Sequence, residues 1–188
     1  MRAFAPALLP ALAGALLLAG PAAHAAETVK VGVIASSTGV TAVVGIPQKN
    51  TVALLPTEVA GVKIDYTVLD DASDPTNAVT NVKKLISETK VDALVGPTTT
   101  PAALAMLDFV AEARTPLITT VGSAAVIEPM DDKKRWVFKT TQNDGLIADA
   151  LVAHMVKTGI KTVGFIGFND AYGEGWKQEF RKAAESKG

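Results

Sequence analysis

Residues 91–120 read VDALVGPTTTPAALAMLDFVAEARTPLITT, and this stretch decides the fold. Residues 91–95 are a short apolar run rich in valine, which reads as a buried strand. Thr100-Pro101 then supplies a hydroxyl cap followed by a proline, the pair that starts a helix. Residues 102–113 are strongly apolar and predict that helix. Residues 116–120 predict the next strand. A strand, a helix and a strand in this order form a parallel crossover unit.

The same alternation recurs on both sides. Residues 29–35 (VKVGVIA) predict a buried strand, and a helical stretch around residues 48–55 is stopped by Pro56. Residues 62–69 (VKIDYTVL) alternate like a strand with one wetter face. Asp74-Pro75 repeats the cap-plus-proline start, and Ala78, Val79, Val82, Leu85 and Ile86 follow at helical spacing. Residues 136–140 (WVFKT) read as extended. Asp144 opens a helix towards Lys157, which Gly159 ends. Residues 161–168 (KTVGFIGF) predict another buried strand, and residues 173–187 a final helix. Near-continuous apolar strands alternating with helices predict an α/β fold, a doubly wound parallel sheet covered on both faces.

The strand at 161–168 has two possible places: as a further strand of this sheet, or as the first of another. The segment WVFKTTQND favours the second, as a crossover out of the first lobe. The expected organisation is therefore a leader over residues 1–25, an N-terminal α/β lobe over 26–140, and the start of a second lobe over 141–188. On this reading the chain is the N-terminal part of a longer, two-lobed protein.

The leader rests on three features. Met1-Arg2 is a short positive start, residues 7–20 carry no charge, and Ala23-His24-Ala25 has the small-x-small pattern of a cleavage site. The apolar run falls short of the roughly 20 residues needed to cross a bilayer. Pro10 and Gly14 also interrupt it. A cleavable signal and a periplasmic protein are expected, with a membrane anchor as the alternative.

Composition removes several functions. There is no cysteine, hence no thiol catalysis, thiolate metal site or disulfide. His154 is the single histidine beyond the leader, which leaves little for a histidine metal site or a serine–histidine mechanism. Lysine and arginine total 18 against 19 acids, without a basic block, so nucleic acid is not an expected partner. Gly32, Gly39 and Gly45 do not form a dinucleotide fingerprint. No nucleophile, base and metal constellation is visible, so neither an enzyme nor a cofactor is expected.

In open α/β sheets ligands bind beyond the carboxyl ends of the strands. Four loops leave those ends: residues 36–39 (SSTG), 96–100 (GPTTT), 119–123 (TTVGS) and 169–173 (NDAYG). They are rich in hydroxyls and glycine and poor in catalytic groups, which suits recognition rather than proton transfer. Thr98-Thr99-Thr100 precedes a helix whose first N–H groups attract a carboxylate or phosphate. Thr100 also reads as a plain cap of that helix. At Val121-Gly122-Ser123 a carbonyl and a hydroxyl can accept from an ammonium group, or the segment is a tight turn. Asp70, Asp71 and Asp74 cluster, and are better read as turn and cap acids with hydroxyl partners than as a calcium loop. Tyr172 either projects onto a ligand or packs under the last helix.

The order VKVGVIASSTG, LDDASDP, ALVGPTTTPA, PLITTVGSA, FKTTQND and VGFIGFNDAYGEGW resembles the periplasmic amino-acid-binding proteins of ABC transporters, the leucine/isoleucine/valine-binding type with the periplasmic binding protein type 1 fold. The resemblance implies two α/β lobes that clamp an amino acid, branched-chain or related, for a membrane permease, with a monomeric chain and no nucleic acid. It implies that Thr99 or Thr100, with the Ser123 N–H, holds the carboxylate. The Val121 carbonyl and Ser123 hydroxyl would hold the ammonium, and Tyr172 would reach across from the second lobe. Val44 and Gly45 fall where the family lines its side-chain pocket, while Thr98 and Gly122 complete the two loops. The other role the resemblance allows is a periplasmic sensor or receptor domain.

Overall fold

The computed structural model describes residues 28–187, so the leader reading lies outside the described residues. Six strands form one sheet in the order β2-β3-β1-β4-β5-β6. They are β1 (Thr28–Ala35), β2 (Glu58–Val59), β3 (Val62–Asp70), β4 (Ala93–Val95), β5 (Leu117–Thr119) and β6 (Val137–Lys139). Only the β2–β3 pair is antiparallel. The helices are α1 (Ala42–Val52), α2 (Pro75–Lys84), α3 (Thr100–Ala113), α4 (Asp144–Lys157) and α5 (Ala171–Lys187). None of the described helices is long and apolar enough to cross a membrane.

The doubly wound parallel sheet is thus present, and its logic lies in alternate strand residues. Ile34, Leu94, Leu117 and Val137, one from each of four neighbouring strands, point to one face. There they meet Ala78 and Val82 of α2 and Ala102, Met106 and Val110 of α3, and all but Val137 are at most 1 % exposed. Full burial of one such side chain contributes about 2 kcal/mol. The chain passes from β1 to β3 in one direction, then returns over β1 to β4, β5 and β6. Right-handed crossovers then set α1 on the opposite face from α2 and α3. That opposite face stays open at its far end, where the paired residues Ile118 and Phe138 are 37 % and 56 % exposed.

The helix starts follow local chemistry. Asp74 accepts from the N–H groups of Thr76 (2.6 Å) and Asn77 (3.2 Å), with Pro75 in the first turn. At α3 the cap sits one residue earlier than the sequence suggested. Thr99, not Thr100, accepts from the Ala102 N–H, at 3.4 Å. Thr100 is therefore the first helical residue, and its side chain turns inward.

Two segments depart from the sequence reading. Helix α1 begins at Ala42 and continues through Pro47. Its inner positions Thr41, Gly45 and Gln48 are small or polar, so apolar periodicity could not reveal them. Gly45 is there because a Cβ would collide with the Ser36 carbonyl. Residues 161–168 form no regular element and pair with no strand among the described residues, and Ile166 is 99 % exposed. The expected burial is absent because a strand is buried by its ladder and by helices on both faces. Residues 136–140, read as extended, do add β6 to the sheet, and the chain then leads into α4.

Helices α4 and α5 pack on each other through Ala148, Val152 and Ala183, with Trp176 and Phe180 alongside. This cluster is separate from the main core. Phe165 packs on Phe180 with ring centroids 6.5 Å apart, which ties residues 161–168 to α5.

Gly45→Ala should destabilise the fold by about 1–3 kcal/mol, because backbone must move to admit the methyl group. Gly164→Ala, which meets nothing within 4 Å, should leave the melting temperature unchanged. Thermal unfolding followed by circular dichroism compares the two.

Candidate ligand-binding site

The reversal of strand order between β1 and β4 opens a crevice at their carboxyl ends. The loops after these strands meet there through one hydroxyl. The Ser36 N–H donates to Thr98 Oγ1 at 2.9 Å, and the Thr98 hydroxyl donates to Gln48 Oε1 at 2.6 Å. Gln48 Nε2 donates to Thr120 Oγ1 at 3.2 Å, and the Thr120 hydroxyl donates to the Pro97 carbonyl at 2.9 Å. The ends of β1, β4 and β5 and the inner face of α1 are held in one chain of hydrogen bonds. Sequence reasoning missed Gln48 and Thr120. The available signal was Gln48 itself, three residues after Gly45, on the same face of α1.

Around this floor stand the expected residues. Thr98 and Thr99 are half-buried, whereas Thr100 is 2 % exposed and Ser123 6 %. Thr100 Oγ1 is buried without a partner among the described residues. The N–H groups of Thr99 and Thr100 likewise have no acceptor there. The start of α3 therefore offers backbone donors and a positive dipole end, with Pro101 removing the next donor.

At the end of β5 the hydrogen bonds are largely internal. The Val121 carbonyl accepts from the Thr141 hydroxyl at 2.7 Å. The Gly122 carbonyl accepts from the Asp144 N–H at 3.1 Å. Ser123 Oγ accepts from the Ala125 N–H at 3.3 Å. Each of these oxygens thus holds one internal bond and keeps a second lone pair. Gly45 closes α1 onto Ser36, while Val44 stands on the same helix at 50 % exposure without joining the threonine loop.

Tyr172 opens α5, whose first turn is capped by Asp170 through the N–H groups of Tyr172 (2.9 Å) and Gly173 (3.0 Å). Its ring lies 6.3 Å from that of Phe168. One turn on, a Cβ added at Gly175 would come within ordinary contact of Ser123 Oγ. The structure therefore sets the helix that carries Tyr172 beside the Ser123 loop.

The acidic cluster is structural. Asp70 accepts from the Thr38 N–H and hydroxyl and from the Ala72 N–H. Burial pushes the Asp70 carboxyl up, but these donors outweigh it and hold the carboxyl below its usual range. Asp71 accepts from the Ser36 hydroxyl at 2.6 Å and the Ser73 N–H at 3.0 Å. No group of three acidic or histidine side chains with metal-binding geometry occurs among the described residues.

Asp144 was singled out only as a helix start, yet it belongs to this region. It is 5 % exposed, and its carboxyl rests against Gly122 so closely that a Cβ there would collide with Oδ1. Burial raises its pKa, the Lys139 charge opposes the rise, and Glu179 adds to it. Because the folded state holds this proton more tightly than the unfolded state, Asp144 lowers stability as pH rises through its folded range. Asp70 acts in the opposite sense and loses its contribution in acid. Asp144→Asn should therefore stabilise the protein more at pH 7 than at pH 3, read as the difference in melting temperature from wild type.

Thr98→Val should cost about 1–3 kcal/mol, since it strands the Ser36 N–H and one Gln48 oxygen. Thr98→Ser should recover most of it. Chemical denaturation measures both.

Comparison with known proteins adds a family to this geometry. A model described as periplasmic binding protein matches residues 28–188. An extracellular ligand-binding receptor from Rhodopseudomonas palustris HaA2 is 47 % identical, with a TM-score of 0.81, covering 84 % of this chain and 44 % of that one. A solute binding protein of an ABC transporter from Rhodopseudomonas palustris BisB5, in complex with 3,4-dihydroxybenzoic acid, is 28 % identical. Its TM-score is 0.77, covering 86 % of this chain and 45 % of that one. A leucine-binding protein from Thermotoga maritima MSB8 shares the fold, at 21 % identity and a TM-score of 0.75 over 85 % and 46 % of the two chains. The chain thus spans less than half the length of the solved relatives it matches. No curated protein matches it.

Proposed function

We propose, from the premise that the chain belongs to the periplasmic binding protein family, that it supplies the N-terminal half of the clamp of a solute-binding protein serving an ABC importer. Residues 1–25 act as the signal that exports it, residues 26–140 form the first lobe, and residues 141–188 begin the second. It does no chemistry on its ligand. Hinge closure over a bridging ligand shifts the population to the form that a membrane permease recognises.

The ligand is a small molecule with a carboxylate. The observation that carries this reading is the start of α3, where the N–H groups of Thr99 and Thr100 lack acceptors beside the crevice between β1 and β4. A carboxylate there gains charge-assisted hydrogen bonds and the helix dipole. Thr98 holds the loop in place, and the Ser123 N–H adds a donor from the neighbouring strand end. Val121 and Gly122 shape the wall, Tyr172 approaches from α5, and Val44 and Gly45 lie towards the rim. Relatives of both kinds, one bound to an aromatic acid and one described as leucine-binding, fit a shared carboxylate subsite with different side pockets. A ligand-reporting receptor is the second reading, favoured by the description of the 47 % identical relative.

Calorimetry on the full-length protein tests the subsite. Leucine should bind at least about tenfold more tightly than leucinamide, or 4-hydroxybenzoate than its methyl ester, since the loss is one set of charged hydrogen bonds. Equal affinity within both pairs, or no binding by any carboxylate in a broader panel, would sink the proposal.

A further inference from the structure

Helix α1 is polar on its inner face, and one residue there has its chemistry dictated by its neighbours. The chain of hydrogen bonds beneath the crevice ends on two backbone groups that cannot change roles. The Ser36 N–H only donates, and the Pro97 carbonyl only accepts. The Thr98 oxygen takes the Ser36 N–H at 2.9 Å, and its proton goes to Gln48 Oε1 at 2.6 Å. The Thr120 hydroxyl gives its proton to Pro97 at 2.9 Å, and its oxygen accepts from Gln48 Nε2 at 3.2 Å. Every proton in the chain therefore points one way. Position 48 must accept through one terminal atom and donate through the other.

A glutamine amide meets both demands at once, whereas an ionised carboxylate of the same shape accepts only. Charge is sparse around it. Ser36, Pro97, Thr98 and Thr120 are neutral, and the one charged residue of α1 is the exposed Lys49. The carboxylate tied to this chain is Asp71, which takes the Ser36 hydroxyl at 2.6 Å. Pro97 and Thr98 belong to the loop that delivers the start of α3, and the next residue, Thr99, is the cap of that helix. Gln48 holds this loop twice, directly at Thr98 and through Thr120 at Pro97. The N–H groups of Thr99 and Thr100, without acceptors among the described residues, take their direction from it.

We propose that Gln48 is the positioning residue of the carboxylate subsite, and that its neutrality keeps the subsite open to an anion. This rests on the reading of the α3 start as that subsite. Gln48 acts through Thr98 and Thr120 rather than by touching the ligand. By fixing residues 97 and 98 it aims the N–H groups of the next two residues before the ligand arrives, which lowers the ordering cost of binding. An ionised glutamate at this position would lose the bond to Thr120. It would also set a negative charge within hydrogen-bond distance of Thr98, beside the donors that a carboxylate needs. A protonated glutamate would restore the pattern, its carbonyl accepting from Thr98 and its hydroxyl donating to Thr120. In that variant a change of protonation becomes a change of anion affinity, which a residue that only packs α1 on the sheet does not produce.

Calorimetry on the full-length protein provides the test, with leucine, 4-hydroxybenzoate or whichever carboxylate of the broader panel the wild type binds. Wild type, Gln48→Glu and Gln48→Met are compared from about pH 8 to about pH 5, a range that approaches the ordinary glutamate pKa. Gln48→Met should bind about tenfold more weakly than wild type at both ends of the range. Gln48→Glu should be weakened at least as much at the upper end, and its deficit should shrink at least about threefold at the lower end. The bound anion makes that glutamate hold its proton more tightly, so binding takes up a proton and tightens as pH falls. A Gln48→Met protein that binds as wild type, or a Gln48→Glu deficit that is the same throughout, would overturn the role of Gln48. The wild type's preference for the acid over its amide or ester would then leave the subsite standing. Loss of that preference in the wild type overturns the subsite and this role together. If either variant fails to fold, Thr120→Val replaces it, since it unpairs Gln48 Nε2 and the Pro97 carbonyl without altering α1. It should weaken the same ligand about tenfold, and unchanged affinity would overturn the proposal.

Discussion

One hydroxyl holds the crevice open in its working shape. A doubly wound sheet reverses direction between β1 and β4, and at that point two loops diverge to opposite faces. Left alone, the loop ends would present unpaired backbone groups to each other. Thr98 removes that problem by accepting from the Ser36 N–H on one side and donating to Gln48 on the other. Because Gln48 also reaches Thr120, the third strand end is fixed in the same network. The start of α3, two residues after Thr98, inherits its position from this arrangement. A one-residue offset of that loop would turn the free N–H groups of Thr99 and Thr100 away from the crevice.

Most of the sheet was legible in the sequence, for reasons visible residue by residue. Ile34, Leu94 and Leu117 lie in apolar runs because both faces of a parallel strand are covered, and Asp74-Pro75 announces α2 by a mechanism that acts locally. What escaped detection depends on distant partners. Helix α1 packs through Thr41, Gly45 and Gln48, whose fit is set by Ser36, Ser73 and Thr98 rather than by their own hydropathy. The two-residue strand β2 needs only the turn at Ala60 and Gly61, both at positive φ, and carries no periodic signal. Residues 161–168 have the composition of a buried strand, yet composition does not supply the neighbour that a ladder requires.

The candidate site was legible in its location and less so in its chemistry. The threonine loop and the Val121–Ser123 segment were found because switch-point loops are identified by the strands before them. Which atoms face the ligand was not legible, because a hydroxyl carries no mark of its direction. The structure turns Thr100 and Ser123 inward and commits the Val121 carbonyl to Thr141. In the proposed site, recognition at the start of α3 would consequently pass from side chains to the peptide backbone. Backbone donors cannot be changed by substitution without changing the helix, whereas hydroxyls can. An anion subsite made of N–H groups would therefore tolerate wide divergence in sequence.

The same reasoning explains why selectivity must sit elsewhere. A carboxylate held by a helix start reads only charge and shape common to every small organic acid. Discrimination needs a group whose cost differs between ligands, and buried polar groups provide it because leaving one unsatisfied is expensive. Asp70 has spent both oxygens on neighbouring N–H and hydroxyl donors, and Asp74, Asp131 and Asp170 one oxygen each on N–H groups, so these carboxylates serve the turns and helix starts they sit in.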